Sequence, residues 1–126
     1  MRWFRASISP TLAELCGLTP PEDIDGRPFL DLLDDPKLAG PEYALSYNQS
    51  YGPPFRGQPR MYAVSLRTKD YRYIQWQRNL GQGEILFQEL YDHRSDPEEE
   101  DNLAAREPEV VKRLEELVAE RPPVKR

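Results

Sequence analysis

Between residues 62 and 77, apolar and polar side chains change places almost residue by residue. Tyr62, Val64 and Leu66 alternate with Ala63, Ser65 and Arg67, in a run rich in β-branched and aromatic residues. This period of two predicts a β-hairpin, with Lys69-Asp70 at the turn and residues 71–77 returning. A two-residue turn sets Leu66 opposite Tyr73 and Val64 opposite Gln75. The other face then pairs Ala63 with Trp76, Ser65 with Ile74, and Arg67 with Arg72. Residues 43–47 and 85–92 predict two further strands. Towards the C-terminus the period changes to that of a helix: Val110, Val111, Leu114, Leu117 and Val118 form one stripe. Pro108 starts this helix, Glu109 and Arg113 support it as an i, i+4 pair, and Pro122-Pro123 stops it. Near the N-terminus, Ser9 and Pro10 open a short helix that Gly17 ends, with Leu12, Leu15 and Cys16 on one face. Phe29, Leu30, Leu32 and Leu33 make a helical turn before Pro36. The predicted class is α+β: a small antiparallel sheet of about four strands, packed by the C-terminal helix.

Composition narrows the function classes. The chain has 126 residues, 38% apolar and 31% charged, which suits one small domain. Thirteen prolines punctuate it at 20–21, 53–54 and 122–123 among other places. A net charge of −5, with Lys and Arg scattered, offers no footprint for nucleic acid. No apolar run approaches the roughly 18 residues needed to cross a bilayer. Residues 1–5 are not followed by an apolar core and cleavage site, so no secretory signal is expected. The compartment stays open. One cysteine excludes an internal disulfide, and one histidine beside it leaves little for a zinc site.

Four groups of residues can carry chemistry. Asp34-Asp35 has the hard oxygens that a divalent cation prefers, but follows leucines at helical spacing and reads as a solvated helix end. Asp92, Asp96, Glu98, Glu99, Glu100 and Asp101 form an acidic cluster without the central glycine of a calcium-binding loop, so it too reads as a solvated turn. Cys16 has no histidine near it in sequence and reads as a buried structural thiol. His93 has no nucleophile to serve as base and reads as structural.

The Arg67–Arg72 pair is more demanding. Like charges opposite each other destabilise a sheet, so a carboxylate such as Glu89 or Asp92, or an external anion, is expected to neutralise them. Residues 48–60 form a long loop carrying Tyr51, Phe55, Arg56 and Arg60, which suits an anionic sugar or simple packing onto the sheet. Asn48-Gln49-Ser50 also matches an N-glycosylation triplet.

Five strings, in order, resemble type I sulfatases, and most closely their iduronate-2-sulfatase-like branch. Pro10-Thr11-Leu12-Ala13-Glu14-Leu15-Cys16-Gly17-Leu18 resembles a helix late in those enzymes, and Asp25-Gly26-Arg27-Pro28-Phe29-Leu30 the segment after it. Ser65-Leu66-Arg67-Thr68-Lys69-Asp70-Tyr71-Arg72-Tyr73 resembles their "S-[IL]-R-T-x-x-Y-R-Y" hairpin, with Trp76 following. Glu89-Leu90-Tyr91-Asp92 and Asp96-Pro97-Glu98-Glu99-Glu100-Asp101-Asn102-Leu103-Ala104 resemble "ELYD…DPxExxNLA".

The resemblance implies that residues 1–36 are a helical remnant of the α/β catalytic domain and residues 37–126 the sulfatase C-terminal subdomain. It implies a role in buttressing the catalytic domain and lining the substrate pocket with residues 48–60; the loop and hairpin readings above supply Tyr51, Arg56 and Arg67 as the candidate substrate-binding residues. The full-length family uses calcium and a formylglycine made from Cys or Ser in Cys-x-Pro-x-Arg. Here Cys16 is followed by Gly-Leu-Thr, so no catalytic residue, metal ligand or cofactor is carried over. Full-length relatives are often periplasmic, secreted or lysosomal. Ser7 replaces a family aspartate and residues 1–5 do not match, so the chain is expected to begin at a truncation point or altered frame. The implied partners are the missing catalytic domain in cis and a sulfated sugar, with no nucleic acid or membrane. An uncovered helical face would also favour self-association. The alternative is a stand-alone binding or interaction module that reuses this fold.

Overall fold

The computed structural model describes residues 2–20, 22, 24, 26–50, 61–78 and 84–120, apart from the side chains of 2–6 and 49–50. Along it run α1 (Arg2–Leu15), α2 (Leu30–Asp34), β1 (Tyr43–Ser50), β2 (Met61–Thr68), β3 (Tyr71–Gln77), β4 (Ile85–Asp92) and α3 (Pro108–Ala119). They divide between two compact units, residues 1–44 and 45–126.

The second unit holds the sheet, in the order β1-β2-β3-β4. Strands β2 and β3 pair antiparallel in the register that the alternation predicts, from Ala63↔Trp76 through Leu66↔Tyr73 to Arg67↔Arg72. Thr68 closes the turn: its Oγ1 accepts the Tyr71 N–H at 3.0 Å and donates to the Tyr71 carbonyl at 3.2 Å. Strand β4 pairs antiparallel with β3, setting Leu90 beside Tyr73 and Glu89 beside Ile74. A bulge follows Trp76, where Gln77 meets Ile85 and leaves Leu86 as the extra residue.

Alternation sorts these strands into two faces. Val64, Leu66, Tyr73, Gln75, Gln88 and Leu90 share one. Helix α3 packs against β2, and Val111, Leu114 and Val118 of its predicted stripe are buried. Leu66, Tyr73 and Leu90 lie side by side across three strands without exposed surface. Burying each leucine contributes roughly 1.5–3 kcal/mol. Polar groups within this core are paired. The Tyr73 hydroxyl donates to Gln75 Oε1 at 3.1 Å and accepts from Gln88 Nε2 at 2.7 Å, and Gln88 also reaches Glu115 of α3 at 3.3 Å.

The exposed edge of β4 is met by the chain that follows it. Asn102 Oδ1 accepts the Leu90 N–H at 3.0 Å, its amide donates to the Gln88 carbonyl at 3.2 Å, and the Leu103 N–H donates to the Leu90 carbonyl at 2.8 Å. Residues 102 and 103 thus pair with backbone groups that an edge strand leaves open.

The first unit holds α1 and α2. Helix α1 begins earlier than expected, so Pro10 lies inside it and not at its start. Pro10 is fully buried. Beside it the Thr11 hydroxyl donates to the Ser7 carbonyl at 2.7 Å and accepts the Phe29 N–H at 3.0 Å. Gly17, at φ +68°, ends the helix in the left-handed conformation that suits glycine. The Leu18 N–H then returns to the Ala13 carbonyl at 2.8 Å. Leu12, Leu15, Leu18 and Leu33 are each more than half exposed. Cys16 is exposed as well, which corrects the expectation of a buried thiol. It shares the face of Leu12 and Leu15, and α1 buries its other side, around Pro10 and Thr11.

Candidate functional site

The second sheet face, turned away from the Leu66–Tyr73–Leu90 layer, carries both arginines of the hairpin together with Glu89. Its rows run Ala63–Trp76–Phe87, then Ser65–Ile74–Glu89, then Arg67–Arg72–Tyr91. Phe87 is more than half exposed.

The arginine pair is present as predicted, but its counter-ion is different. Arg72 Nη1 donates to Glu99 Oε1 at 3.1 Å and Oε2 at 2.9 Å, and its Nε donates to Ser65 Oγ at 3.3 Å. Glu99 also pairs with His93 Nε2 at 2.6 Å. Neither of the expected carboxylates is free for this. Glu89 accepts the Trp76 indole N–H and the Tyr91 hydroxyl, both at 2.6 Å. Burial, helped by that bond, pushes Tyr91 up to about 12. Asp92 points back into its own turn, accepting Arg94 Nε at 2.9 Å and Nη2 at 2.6 Å. The bond from Arg94 holds Asp92 down at about 2. The Arg94 guanidinium in turn lies 5.0 Å from the centre of the Tyr71 ring.

Sequence reasoning missed Glu99 because 27 residues separate it from Arg72. A local signal existed: Glu99 sits three residues after Asp96 in a turn. Asp96 accepts the Asp101 and Glu100 N–H groups, both at 3.0 Å, which lowers its pKa. That turn sets Glu99 at φ +59°, where non-glycine residues are uncommon, and aims it at β3.

Arg67 has no such partner. Its Nη1 is buried and makes no hydrogen bond among the described residues. Tyr51 and Arg56, the other two predicted substrate-binding residues, lie outside the described residues, as do Phe55 and Arg60. Asp35 Oδ1 accepts the Lys37 N–H at 3.1 Å on an exposed segment, as a helix end would. His93 takes a structural role through Glu99.

The described residues do not fit the calcium, nor the one cysteine the formylglycine, that the resemblance to sulfatases implies for a full-length enzyme. Among the described residues no group of three or more His, Cys, Asp or Glu is placed to hold a metal ion. The one cysteine lies in Cys-Gly-Leu-Thr.

Residues 5–122 match the family model described as N-sulphoglucosamine sulphohydrolase, C-terminal. No curated protein matches the sequence. Among solved structures, the chain is similar to BT33336S-sulf, described with the metabolism of multiple glycosaminoglycans by Bacteroides thetaiotaomicron. The TM-score is 0.60 at 24% identity, over 89% of this chain and 23% of that one. It is also similar to BT4656, solved in complex with its substrate D-glucosamine-2-N,6-O-disulfate. There the TM-score is 0.55 at 24% identity, again over 89% of this chain and 23% of that one. At this identity the likeness shows a shared fold. The chain spans less than a quarter of the length of each structure.

Proposed function

Because this chain belongs to the C-terminal family of N-sulphoglucosamine sulphohydrolase, a family of sulfatase C-terminal regions, we propose that it buttresses the catalytic domain of a sulfuric ester hydrolase and lines one wall of its substrate pocket. One observation carries this reading. Leu12, Leu15, Leu18 and Leu33 of the first unit are each more than half exposed, and the solved relatives have over three quarters of their length beyond the part matched here. An apolar stripe of this kind gains stability when another surface covers it. The catalytic domain supplies that surface, and also the calcium and formylglycine chemistry of the full-length enzyme. An uncovered stripe lets the isolated chain associate with itself.

In this reading Tyr51, Arg56 and Arg67 meet a sulfated sugar. The five strings favour an iduronate-2-sulfatase-like enzyme, whereas the family description and the BT4656 ligand favour a sulfated glucosamine. Both are sulfated sugars with more than one anionic or polar group to recognise.

Reconstitution tests the proposal. A sulfatase from which the corresponding C-terminal part has been deleted is mixed with this chain or fused to it, and aryl sulfate turnover is followed with calcium. The expected result is no turnover by the chain alone and restored turnover by the combination. Turnover by the pure chain, or no gain from adding it to the truncated enzyme, would overturn the reading.

A further inference from the structure

Three carboxylates on β4 and in the turn beyond it are already committed. Glu99 holds Arg72 and His93, Glu89 holds Trp76 and Tyr91, and Asp92 holds Arg94. None of them can turn to Arg67 without breaking a short or charge-assisted bond. Yet Arg67 Nη1 is shielded from water and, among the described residues, has no acceptor. A part-exposed guanidinium with one nitrogen shielded from water is answered best by an anion, because a neutral hydroxyl leaves the charge uncompensated and an apolar group leaves the donor unmet. Its planar fork of N–H groups suits two oxygens of one group.

We propose that Arg67 is the cationic centre of an oxyanion site, on the sheet face opposite the Leu66–Tyr73–Leu90 layer, for a sulfate or carboxylate group brought from outside the described residues. The two opposed arginines divide the work. Arg72 is held internally by Glu99 and Ser65, and Arg67, part-exposed and uncommitted, is left for the incoming anion. Glu99 is a positioning residue here, because it keeps Arg72 from sharing that anion. The source of the anion, a group on the sugar, rests on the pocket-lining reading above. The site itself rests on the strand register and the unmet donor.

The test is an NMR titration of the whole chain at constant ionic strength, following arginine Nε–H signals with sodium sulfate in one arm and sodium acetate in the other. A saturable shift at Arg67 is expected, lost in Arg67→Met and weakened about tenfold in Arg67→Lys, which keeps the charge but not the fork. Glu99→Gln, by freeing Arg72, should tighten binding several-fold. If that variant does not fold, the two Arg67 substitutions decide the matter alone. A response to sulfate identifies a sulfated ligand. A response to acetate alone identifies a carboxylate, from a uronic sugar or an acidic side chain. No saturable response to either anion in the folded chain overturns the site. The pocket-lining reading fails separately: if Arg67→Met abolishes anion binding yet leaves KM unchanged in the reconstituted enzyme, the site stands but lies outside the substrate pocket.

Discussion

Arg67 and Arg72 stand directly opposite each other on β2 and β3, and Glu99 neutralises only Arg72. This asymmetry organises the polar sheet face, and it makes the two arginines behave differently when substituted.

Arg67→Met should stabilise the isolated chain by about 1 kcal/mol, since it replaces a part-buried guanidinium with one shielded, unmet nitrogen by an apolar side chain of similar reach. Urea unfolding measures this. A clear loss of stability would mean that Arg67 has a partner in the free chain.

Glu99 is under two opposing demands. Its carboxylate holds Arg72 and His93, while its backbone sits at φ +59°. Glu99→Ala should cost about 1–2 kcal/mol, a range set by the partial exposure of Arg72. Glu99→Gly loses the same bonds but relieves the backbone, and should recover about 0.5–1 kcal/mol of that cost. Equal urea midpoints for the two variants would show that the backbone conformation is not strained.

In the core, Leu66→Ala should cost about 2–5 kcal/mol by leaving a cavity between β2 and α3. Tyr73→Phe keeps the packing but strips Gln75 and Gln88 of their shared hydroxyl, at a cost of about 1–2 kcal/mol. Thermal or urea unfolding should rank the two substitutions in that order.

Stability should fall on both sides of neutral pH. Arg94 holds Asp92 near 2 against an ordinary 3.8, so between about pH 4 and 2 the unfolded chain binds the extra proton. This contribution is complete above about pH 4 and is lost as pH drops through 2. Asp96, lowered by the N–H groups of Asp101 and Glu100, adds to the same acid limb. On the alkaline side, Tyr73 and Tyr91 are raised to about 12 from 10. Their contribution is complete below pH 10 and is lost as pH rises through 12. Urea midpoints across pH should show both limbs, and Arg94→Gln should flatten the acid one. Tyrosine absorbance should reveal a late-titrating class that includes these two residues.

The sequence alone determined the elements whose signal is local. The period of two between residues 62 and 77 gave both the hairpin and its register, because a slip of one residue would turn Leu66 and Tyr73 outward. The helical stripe from Val111 to Val118 and the glycine at Gly17 were readable for the same reason. The ordered strings indicated a sulfatase C-terminal region, and the family match establishes it. Tertiary structure decided everything that depends on residues far apart in the chain. It placed Glu99 on Arg72, set Asn102 along the edge of β4, buried Pro10 within α1 and left Cys16 exposed. Charge and hydrophobicity say that Arg67 and Arg72 must each be answered. Only the folded chain shows which carboxylate is close enough, because a charge-assisted bond is decided within about 3 Å, and no pattern along the sequence measures that distance.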